Sequence, residues 1–341
     1  MKFFGTLKKP KATFLDNEKN PSFNEAQVAL LGIAVDLTAS YCKGTCNGPK
    51  ALIEASYQIE YEAPVFGKSL TGLVKIHNAG ILEYPKVSGK KVCKAMNGMV
   101  EDVRQFSKNA LEHGKLLALF GGEHSIPNGT FKALGEVYSP RTVTVLQFDA
   151  HLDLRKDYEC QKFSHASIMR NARELGFNAI QVGIRDHIGA EEIEYIKEAS
   201  IENWIYYCPT MPKQYYENAL KDCAWINEEN VFWNCRPSKR QVGKICKQIQ
   251  TPYLYITFDV DAIESAELPG TGTPLPHGLS MRSAEEIIYT VIMYCRKSKI
   301  KLLGFDINEV SPIPGSTSSE QKAALLAYKI LVWNFIEKFK E

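Results

Sequence analysis

The sequence carries almost no excess charge of either sign: 41 Lys and Arg stand against 39 Asp and Glu, a formal net charge of +2 over 341 residues. Chains that bind nucleic acid or a membrane surface usually carry a stronger basic bias, so we expect neither partner. No apolar run approaches the roughly 20 residues that cross a bilayer, and the first ten residues lack the apolar core of a signal peptide. We therefore expect a soluble, unprocessed protein.

The sequence also lacks a disulfide framework, because its nine cysteines are an odd number scattered through the chain. Reduced thiols are expected, and with them a cytoplasmic location. Cys42 and Cys46 form a C-x3-C pair, but no second close pair or nearby histidine completes a zinc site, which favours an ordinary loop pair. The 45% hydrophobic and 23% charged fractions are typical of a globular chain without repeats or low-complexity tracts.

Acidic and imidazole side chains recur where two apolar segments end. Asp149, His151 and Asp153 follow a β-branched run, and Asp259 and Asp261 follow a second apolar run. Because side chains of an extended backbone alternate between two faces, residues at every second position are expected to point the same way. The sequence therefore predicts two groups of ligand-type side chains at strand ends.

Carboxylates crowded at a strand end repel one another and lose solvation unless a cation lies between them. His124 is a further candidate ligand, because it follows Gly121 and Gly122. A tight glycine turn after a buried strand leaves the side chain that follows it at the edge of the sheet. A buried histidine bonded to a neighbouring carbonyl is the alternative for His124. Carboxylates with a little imidazole suit Mn²⁺. Since six ligands are too many for one tetrahedral ion, we interpret the pattern as a two-metal hydrolytic site.

The order of elements predicts an α/β fold. About eight strand candidates, among them residues 27–35, 73–77, 116–120 and 253–261, alternate with helical segments. This is the pattern of a parallel sheet covered on both faces. Residues 1–25 are expected to form a polar arm over the surface, and residues 26–341 a single domain. Ligands of such sheets lie beyond the carboxyl ends of the strands, where His165, in the first turn of a predicted helix, and Glu309, after the last strand, are also expected. Residues 208–250 have the weakest pattern.

Five motifs in order resemble those of the arginase and agmatinase ureohydrolases: Gly-Gly-Glu-His124-Ser, Asp149-Ala-His151-Leu-Asp153, Thr-Phe-Asp259-Val-Asp261, Pro269-Gly-Thr-Gly-Thr-Pro274 and Asp306-Ile-Asn-Glu309-Val310. Five ordered motifs are far more specific than one D-x-H-x-D. The resemblance implies a three-layer α/β/α sandwich with a central parallel eight-stranded sheet, two Mn²⁺ ions per subunit and assembly into homotrimers or homohexamers. It also implies the metal ligands: His124 and Asp153 on one ion, His151 and Asp261 on the other, and Asp149 and Asp259 bridging.

The resemblance further implies catalytic roles for three residues. Glu309 would pair with the guanidinium nitrogens of the substrate. Asp153 would pass a proton to the departing amine, and His165 would shuttle protons to bulk solvent. The stretch from Asp153 through Arg155 to Tyr158 is more similar to the agmatinase branch than to arginase.

Three departures from the family pattern bear on the site. Glu123 stands where the family usually has aspartate, Glu264-Ser265 where Asp-Pro is common, and His277-Gly278 where Gly-Gly is usual. His277 would place an imidazole near the loop that borders the pocket and so bears on substrate choice. The segment 208–250 is longer than usual, which bears on the rim or on oligomer contacts.

The expected reaction is the hydrolysis of agmatine to putrescine and urea, a step of polyamine biosynthesis. N1-aminopropylagmatine is the main competing substrate, since its longer tail needs only an open pocket mouth; arginine, guanidinobutyrate, guanidine and formiminoglutamate are further options. Two alternatives belong to other classes. One is an inactive metal-binding relative that acts as an assembly partner. The other is a two-metal phosphoesterase, which leaves Glu309 without a role.

Overall fold

One mixed sheet organises the chain. The computed structural model describes residues 2–9, 13–16, 20–59, 62–63, 68–69, 74–185, 188–210, 213–214, 223 and 225–335. The strands of the sheet are β1 (Thr6–Lys8), β2 (Val28–Ala34), β3 (Ile76–Glu83), β4 (Leu116–Gly121), β5 (Val143–Phe148), β6 (Asn178–Ile184), β7 (Ile205–Tyr207), β8 (Tyr253–Asp259) and β9 (Lys301–Asn308). Their order across the sheet is β1-β3-β2-β4-β9-β8-β5-β6-β7.

Strands β2 to β9 run parallel, so the predicted eight-stranded parallel sheet is confirmed. A ninth strand, β1, pairs antiparallel with β3 and comes from the segment that we expected to be a surface arm. All three of its residues are exposed, so no apolar alternation marked it in the sequence. Asp102 anchors the arm because its carboxylate accepts the backbone N–H groups of Phe4 and Gly5 at 2.7 Å each. The arm thereby covers an otherwise open sheet edge.

Helices cover both faces of the sheet, which gives the three layers. The α-helices are α1 (Gly48–Ala55), α2 (Lys91–Glu112), α3 (Pro127–Val137), α4 (Ile168–Glu174), α5 (Ala190–Ala199), α6 (Lys239–Gln248), α7 (Met281–Lys297) and α8 (Ser318–Phe335). Neighbouring residues of one strand belong to different apolar clusters. Leu30 shares a cluster with residues of α1, α7 and α8, and Leu31 shares one with residues of α2 and α3. Burial on both faces explains why the strands are almost continuously apolar.

The sheet order brings four strand ends together. β4, β9, β8 and β5 are adjacent and parallel, so their carboxyl ends meet at one edge. His124 follows β4, Glu309 follows β9, Asp259 ends β8 and Asp149 follows β5. Residues far apart in sequence are thereby gathered at the sheet edge where α/β proteins bind ligands.

Some boundaries differ from expectation. A strand was predicted over residues 73–77, but the observed strand is Ile76–Glu83. Residue 73 lies outside the described residues. Of the segment 208–250, residues 211–212, 215–222 and 224 also lie outside them; the remainder includes a regular helix, α6. The final helix is described as far as Phe335. Glu62–Ala63 and Lys68–Ser69 form a separate two-stranded sheet. Within the described ranges, no helix is long and apolar enough to span a bilayer.

Candidate metal centre

The loop after β5 curls rather than continuing as a strand. The strand ends at Phe148, so the expectation of an extended backbone carrying three aligned side chains was wrong. Instead, the backbone N–H of His151 donates to Asp149 Oδ1 at 2.6 Å, and Asp153 adopts a left-handed backbone with φ 52°. The turn brings the three side chains together, and the side-chain hydrogen bond to the backbone stabilises it.

The second acidic pair uses a similar turn. Asp259 ends β8, and Asp261 lies in the 3-10 turn Val260–Ala262, where its N–H donates to Asp259 Oδ1 at 2.8 Å. The backbone N–H of Ala150 donates to Asp261 Oδ1 at 3.0 Å, which ties the two acidic loops directly together. The two groups predicted from the sequence thus form one cluster.

Two ligand groups share Asp149 within this cluster. In the first, His124 Nδ1 lies 2.9 Å from Asp149 Oδ2 and 3.5 Å from Asp153 Oδ2. In the second, His151 Nδ1 lies 3.1 Å from Asp261 Oδ2 and 3.5 Å from Asp149 Oδ1. Donor atoms of each group lie within 4.8 Å of one another, so each group is compact enough to hold a metal ion. Asp259 Oδ2 completes the surroundings of His124, 3.2 Å from its Nδ1.

The two nitrogens of His124 have different surroundings. Nε2 lies 2.8 Å from the hydroxyl of Thr257, which itself donates to the carboxylate of Asp306 at 2.7 Å. Since the one hydroxyl hydrogen of Thr257 points to Asp306, its oxygen accepts from Nε2–H. Nδ1 is buried and, among the described residues, makes no well-formed hydrogen bond. A buried imidazole nitrogen without a hydrogen-bond partner, facing carboxylate oxygens, fits a divalent cation.

The charges of the cluster lead to the same conclusion. Burial, reinforced by neighbouring carboxylates, raises the pKa of Asp153 and Asp259 well above the ordinary carboxyl value. Burial alone would lower the pKa of His124 and His151, but the adjacent carboxylates outweigh it and raise both values well above that of free imidazole. A divalent cation among these carboxylates would supply positive charge and would displace the protons that the raised pKa values favour.

Buried amides and a buried guanidinium support the acidic loops. Gln147 Nε2 donates to Asp149 Oδ2 at 2.7 Å and to Asp153 Oδ2 at 3.3 Å, and its own oxygen accepts from Gln181 Nε2 at 2.7 Å. Arg185, only 2% exposed, donates to the carbonyl oxygen of Asp261 at 2.6 Å and to those of Leu275 and Pro276. These contacts fix the turns that carry the ligand-type residues.

A cavity of about 280 Å³ opens over the cluster. Its lining includes five cluster residues, His124, His151, Asp153, Asp259 and Asp261, together with Tyr41, Arg155, Tyr158, His165, Glu192, Thr273 and Glu309. Glu309 Oε1 accepts the backbone N–H of His124 at 2.7 Å; burial raises the pKa of Glu309, and the carboxylates of Asp259 and Glu123 add to the rise. Burial lowers the pKa of His165 to about 4, and the charges of His151 and His124 act in the same direction.

His277, which the sequence suggested as a pocket residue, is not among the described residues that line this cavity. Its backbone is left-handed, with φ 62°, and its carbonyl oxygen accepts a hydrogen bond from Cys235 Sγ at 2.8 Å. Glu264, the other departure in this region, accepts the N–H of Gly278 at 3.0 Å. The carboxylate of Glu264 and the backbone of His277 therefore both take part in the conformation of this loop.

The Arginase family model matches residues 26–207 and 216–335 of the chain. The chain belongs to the arginase family. An N(1)-aminopropylagmatine ureohydrolase of Synechocystis is 31% identical over 322 residues, 93% of this chain and 92% of that protein. An agmatinase of Bacillus subtilis is 26% identical over 319 residues, 93% of this chain and 94% of that protein. As an arginase-family hydrolase, the chain acts on guanidino carbon–nitrogen bonds.

Solved structures show the same fold. The agmatine ureohydrolase of Thermoplasma volcanium superposes with a TM-score of 0.72 at 23% identity, covering 94% of both chains. Arginase from Bacillus subtilis superposes with a TM-score of 0.65 at 18% identity, covering 89% of this chain and 98% of that one. The predicted fold and family are thereby confirmed, and the family is metal-dependent, in agreement with the His/Asp cluster.

Several residues of the site were not found from the sequence. Gln147 and Gln181 lie in strands that otherwise read as apolar, and a polar side chain in such a strand is a signal for a buried hydrogen-bond partner. Thr257 inside β8 and Arg185 directly after β6 gave the same kind of signal. What the sequence did not reveal was which residue each of them contacts.

Proposed function

We propose that the chain hydrolyses agmatine to putrescine and urea at a site that binds two Mn²⁺ ions. The observation that carries the proposal is the pair of ligand groups that share Asp149, next to a cavity lined by Glu309 and His165. We assign the ligands as follows: His124 and Asp153 to one ion, His151 and Asp261 to the other, and Asp149 and Asp259 to both. The oxygen-rich donor set suits Mn²⁺ better than a metal that prefers thiolates.

Guanidinium is a resonance-stabilised cation, so water alone attacks its carbon very slowly. When bound, the two cations would lower the pKa of a water molecule towards neutrality and so supply the nucleophile. In the reaction, an oxygen–carbon bond forms, the bond from that carbon to the alkylated nitrogen breaks, and the departing amine takes up a proton. The products are urea and the alkylammonium ion.

Glu309 is proposed to orient the guanidinium group. One of its oxygens, Oε1, accepts the N–H of His124 through one lone pair, which orients the carboxylate and leaves the second lone pair of Oε1 and both of Oε2 for the substrate. A planar carboxylate and a planar guanidinium form parallel hydrogen bonds that align the reacting carbon. We assign proton delivery to Asp153 and exchange with bulk solvent to His165, whose lowered pKa of about 4 leaves the imidazole neutral at pH 7.

N1-aminopropylagmatine is a second candidate substrate, favoured by the similarity to the Synechocystis enzyme of that name. Both compounds present the same guanidinium group and differ in the length of the amine tail. The cavity meets solvent at Tyr41, which is 77% exposed, so a longer tail has space to leave it.

Urea release from a panel of guanidino compounds tests the function, with metal content measured on the same sample. The panel contains agmatine, N1-aminopropylagmatine, arginine, guanidinobutyrate and guanidine. His151→Asn should lose metal and turnover together, whereas His113→Asn, an exposed change, should lose neither. Absence of urea from every compound with metal bound would contradict the proposal and favour an inactive metal-binding relative that acts as an assembly partner.

We further infer that residues 26–341 form one catalytic domain that assembles into a cytoplasmic homotrimer or homohexamer. A net charge of +2 supports the expectation that neither nucleic acid nor a membrane is a partner. Light scattering on the purified protein tests the assembly, and a stable monomer under assay conditions would contradict it.

A further inference from the structure

Thr38 connects a buried acid to the imidazole of His165. The carboxylate of Glu123, fully buried, accepts the backbone N–H of Thr38 at 2.6 Å and its hydroxyl at 2.8 Å. The hydroxyl of Ser125 donates to the same carboxylate at 2.7 Å. On its other side, the hydroxyl oxygen of Thr38 lies 3.1 Å from His165 Nδ1 and 3.3 Å from the backbone N–H of His165.

Counting hydrogens decides the direction of each bond. A threonine hydroxyl has one hydrogen and two lone pairs. Since the hydrogen of Thr38 points to Glu123, both lone pairs face His165, one accepting its backbone N–H and the other its ring Nδ1. The Thr38 oxygen has no second hydrogen to donate, so it forms a hydrogen bond with His165 Nδ1 only if Nδ1 carries the hydrogen. In a neutral imidazole, Nε2 then has a free lone pair.

The same pattern occurs at His124, where the hydroxyl of Thr257 donates to Asp306 and faces the imidazole with its lone pairs. His165 differs in its setting, because its side chain lines the cavity and lies beside the Tyr158 ring, with ring centroids 5.2 Å apart. Nδ1 is engaged with Thr38, so Nε2 is the nitrogen left for a proton from the cavity.

We propose that Thr38 and Glu123 are positioning residues that hold His165 in the Nδ1–H tautomer, with unprotonated Nε2 available to the cavity. The consequence for catalysis rests on the proposed ureohydrolase function, in which His165 exchanges protons with solvent. Only the orientation and proton position of His165 are affected, because neither Thr38 nor Glu123 is among the described residues that line the cavity.

Kinetics of paired variants test the catalytic consequence. Thr38→Val keeps the shape of the side chain but removes the hydroxyl, whereas Thr38→Ser keeps the hydroxyl. We expect Thr38→Val to lower kcat for agmatine about 10- to 100-fold, with KM and bound metal unchanged, and Thr38→Ser to restore kcat close to wild type. Equal kcat in both variants, or loss of metal in Thr38→Val alone, would indicate a purely structural role.

Nitrogen-15 NMR tests the proton position without relying on activity. Solid-state spectra of histidine-labelled, Zn²⁺-loaded protein distinguish protonated from unprotonated ring nitrogens, and His165→Asn identifies the signals of His165. Wild type should show Nδ1–H. In Glu123→Gln, the amide N–H₂ would donate to the Thr38 hydroxyl and redirect its hydrogen to Nδ1, so the proton should move to Nε2.

Detection of Nε2–H in the wild-type protein would overturn the proposal. An unchanged tautomer in Glu123→Gln would also overturn it, because the carboxylate would then not control the hydroxyl. If the wild type releases no urea from any guanidino compound, the proposed function fails, while the NMR result still decides the role of Thr38 and Glu123.

Discussion

Replacing Thr257 by valine would test whether the residues behind the cluster hold it ready for metal. Valine keeps the branched shape in the middle of β8 but removes the hydroxyl that lies between His124 and Asp306. His124 Nε2–H would lose its acceptor, and Asp306 would lose one of its donors while keeping Tyr255, whose hydroxyl donates to it at 2.6 Å. All four side chains are buried, so water does not replace the lost partner.

The expected magnitude follows from these two losses. A buried donor left without a partner costs about 1–3 kcal/mol, and a lost hydrogen bond to a charged group about 1.5–3 kcal/mol. Together they predict that Thr257→Val lowers the free energy of unfolding of the metal-free protein by about 2.5–6 kcal/mol. Loss of the contact that orients a metal-binding histidine typically weakens metal affinity about 10- to 100-fold.

Urea denaturation and titration calorimetry with Mn²⁺ measure the two effects separately. Thr144→Val is a matched control, because Thr144 is buried in the adjacent strand β5 and its hydroxyl pairs with Thr251 rather than with the cluster. The control should lose stability but keep the metal affinity of the wild type. Wild-type Mn²⁺ affinity in Thr257→Val would refute the reasoning.

Three further predictions concern the cluster and its support. Mn²⁺ affinity should rise with pH. The pKa values of His124 and His151 are raised in the metal-free protein, and both side chains must lose protons to bind a cation. Calorimetry that shows no proton release on Mn²⁺ binding would contradict this prediction. Arg185→Met should lower the free energy of unfolding by about 3 kcal/mol, since buried carbonyls lose their donors; urea denaturation at wild-type stability would contradict it. Gly183→Ala should destabilise the protein more than Gly114→Ala. Gly183 has φ 101° and a backbone oxygen 2.9 Å from the added Cβ, whereas Gly114 has φ 67° and open space around it. Equal unfolding midpoints of the two variants would argue against the close contact.

The pattern of the strands could be read from the sequence with useful accuracy. β2, β4 and β8 are within two residues of their predicted bounds, because strands buried on both faces are continuous apolar runs between polar turns. β1 was missed for the opposite reason: a short edge strand exposed on both faces has no apolar pattern. Its position depends on pairing with β3 and on the anchor at Asp102.

The sequence by itself determined the chemistry of the site and the sheet edge where it lies. Acidic and imidazole residues directly after apolar runs meet at one edge because parallel strands end on the same side. The loops that carry Asp149 and Asp261 were therefore expected near one another, and Ala150 donates to Asp261 across 111 residues of sequence.

Only the tertiary structure decided which side chains contact each other. Periodicity tells which face of a strand a residue occupies, but not which strand is its neighbour. The contact of Thr38 with His165 spans 127 residues, and that of Glu309 with the backbone of His124 spans 185. Each depends on strand order and on turns with left-handed residues such as Asp153 and Glu309, and these arise from packing and hydrogen bonding of the whole sheet.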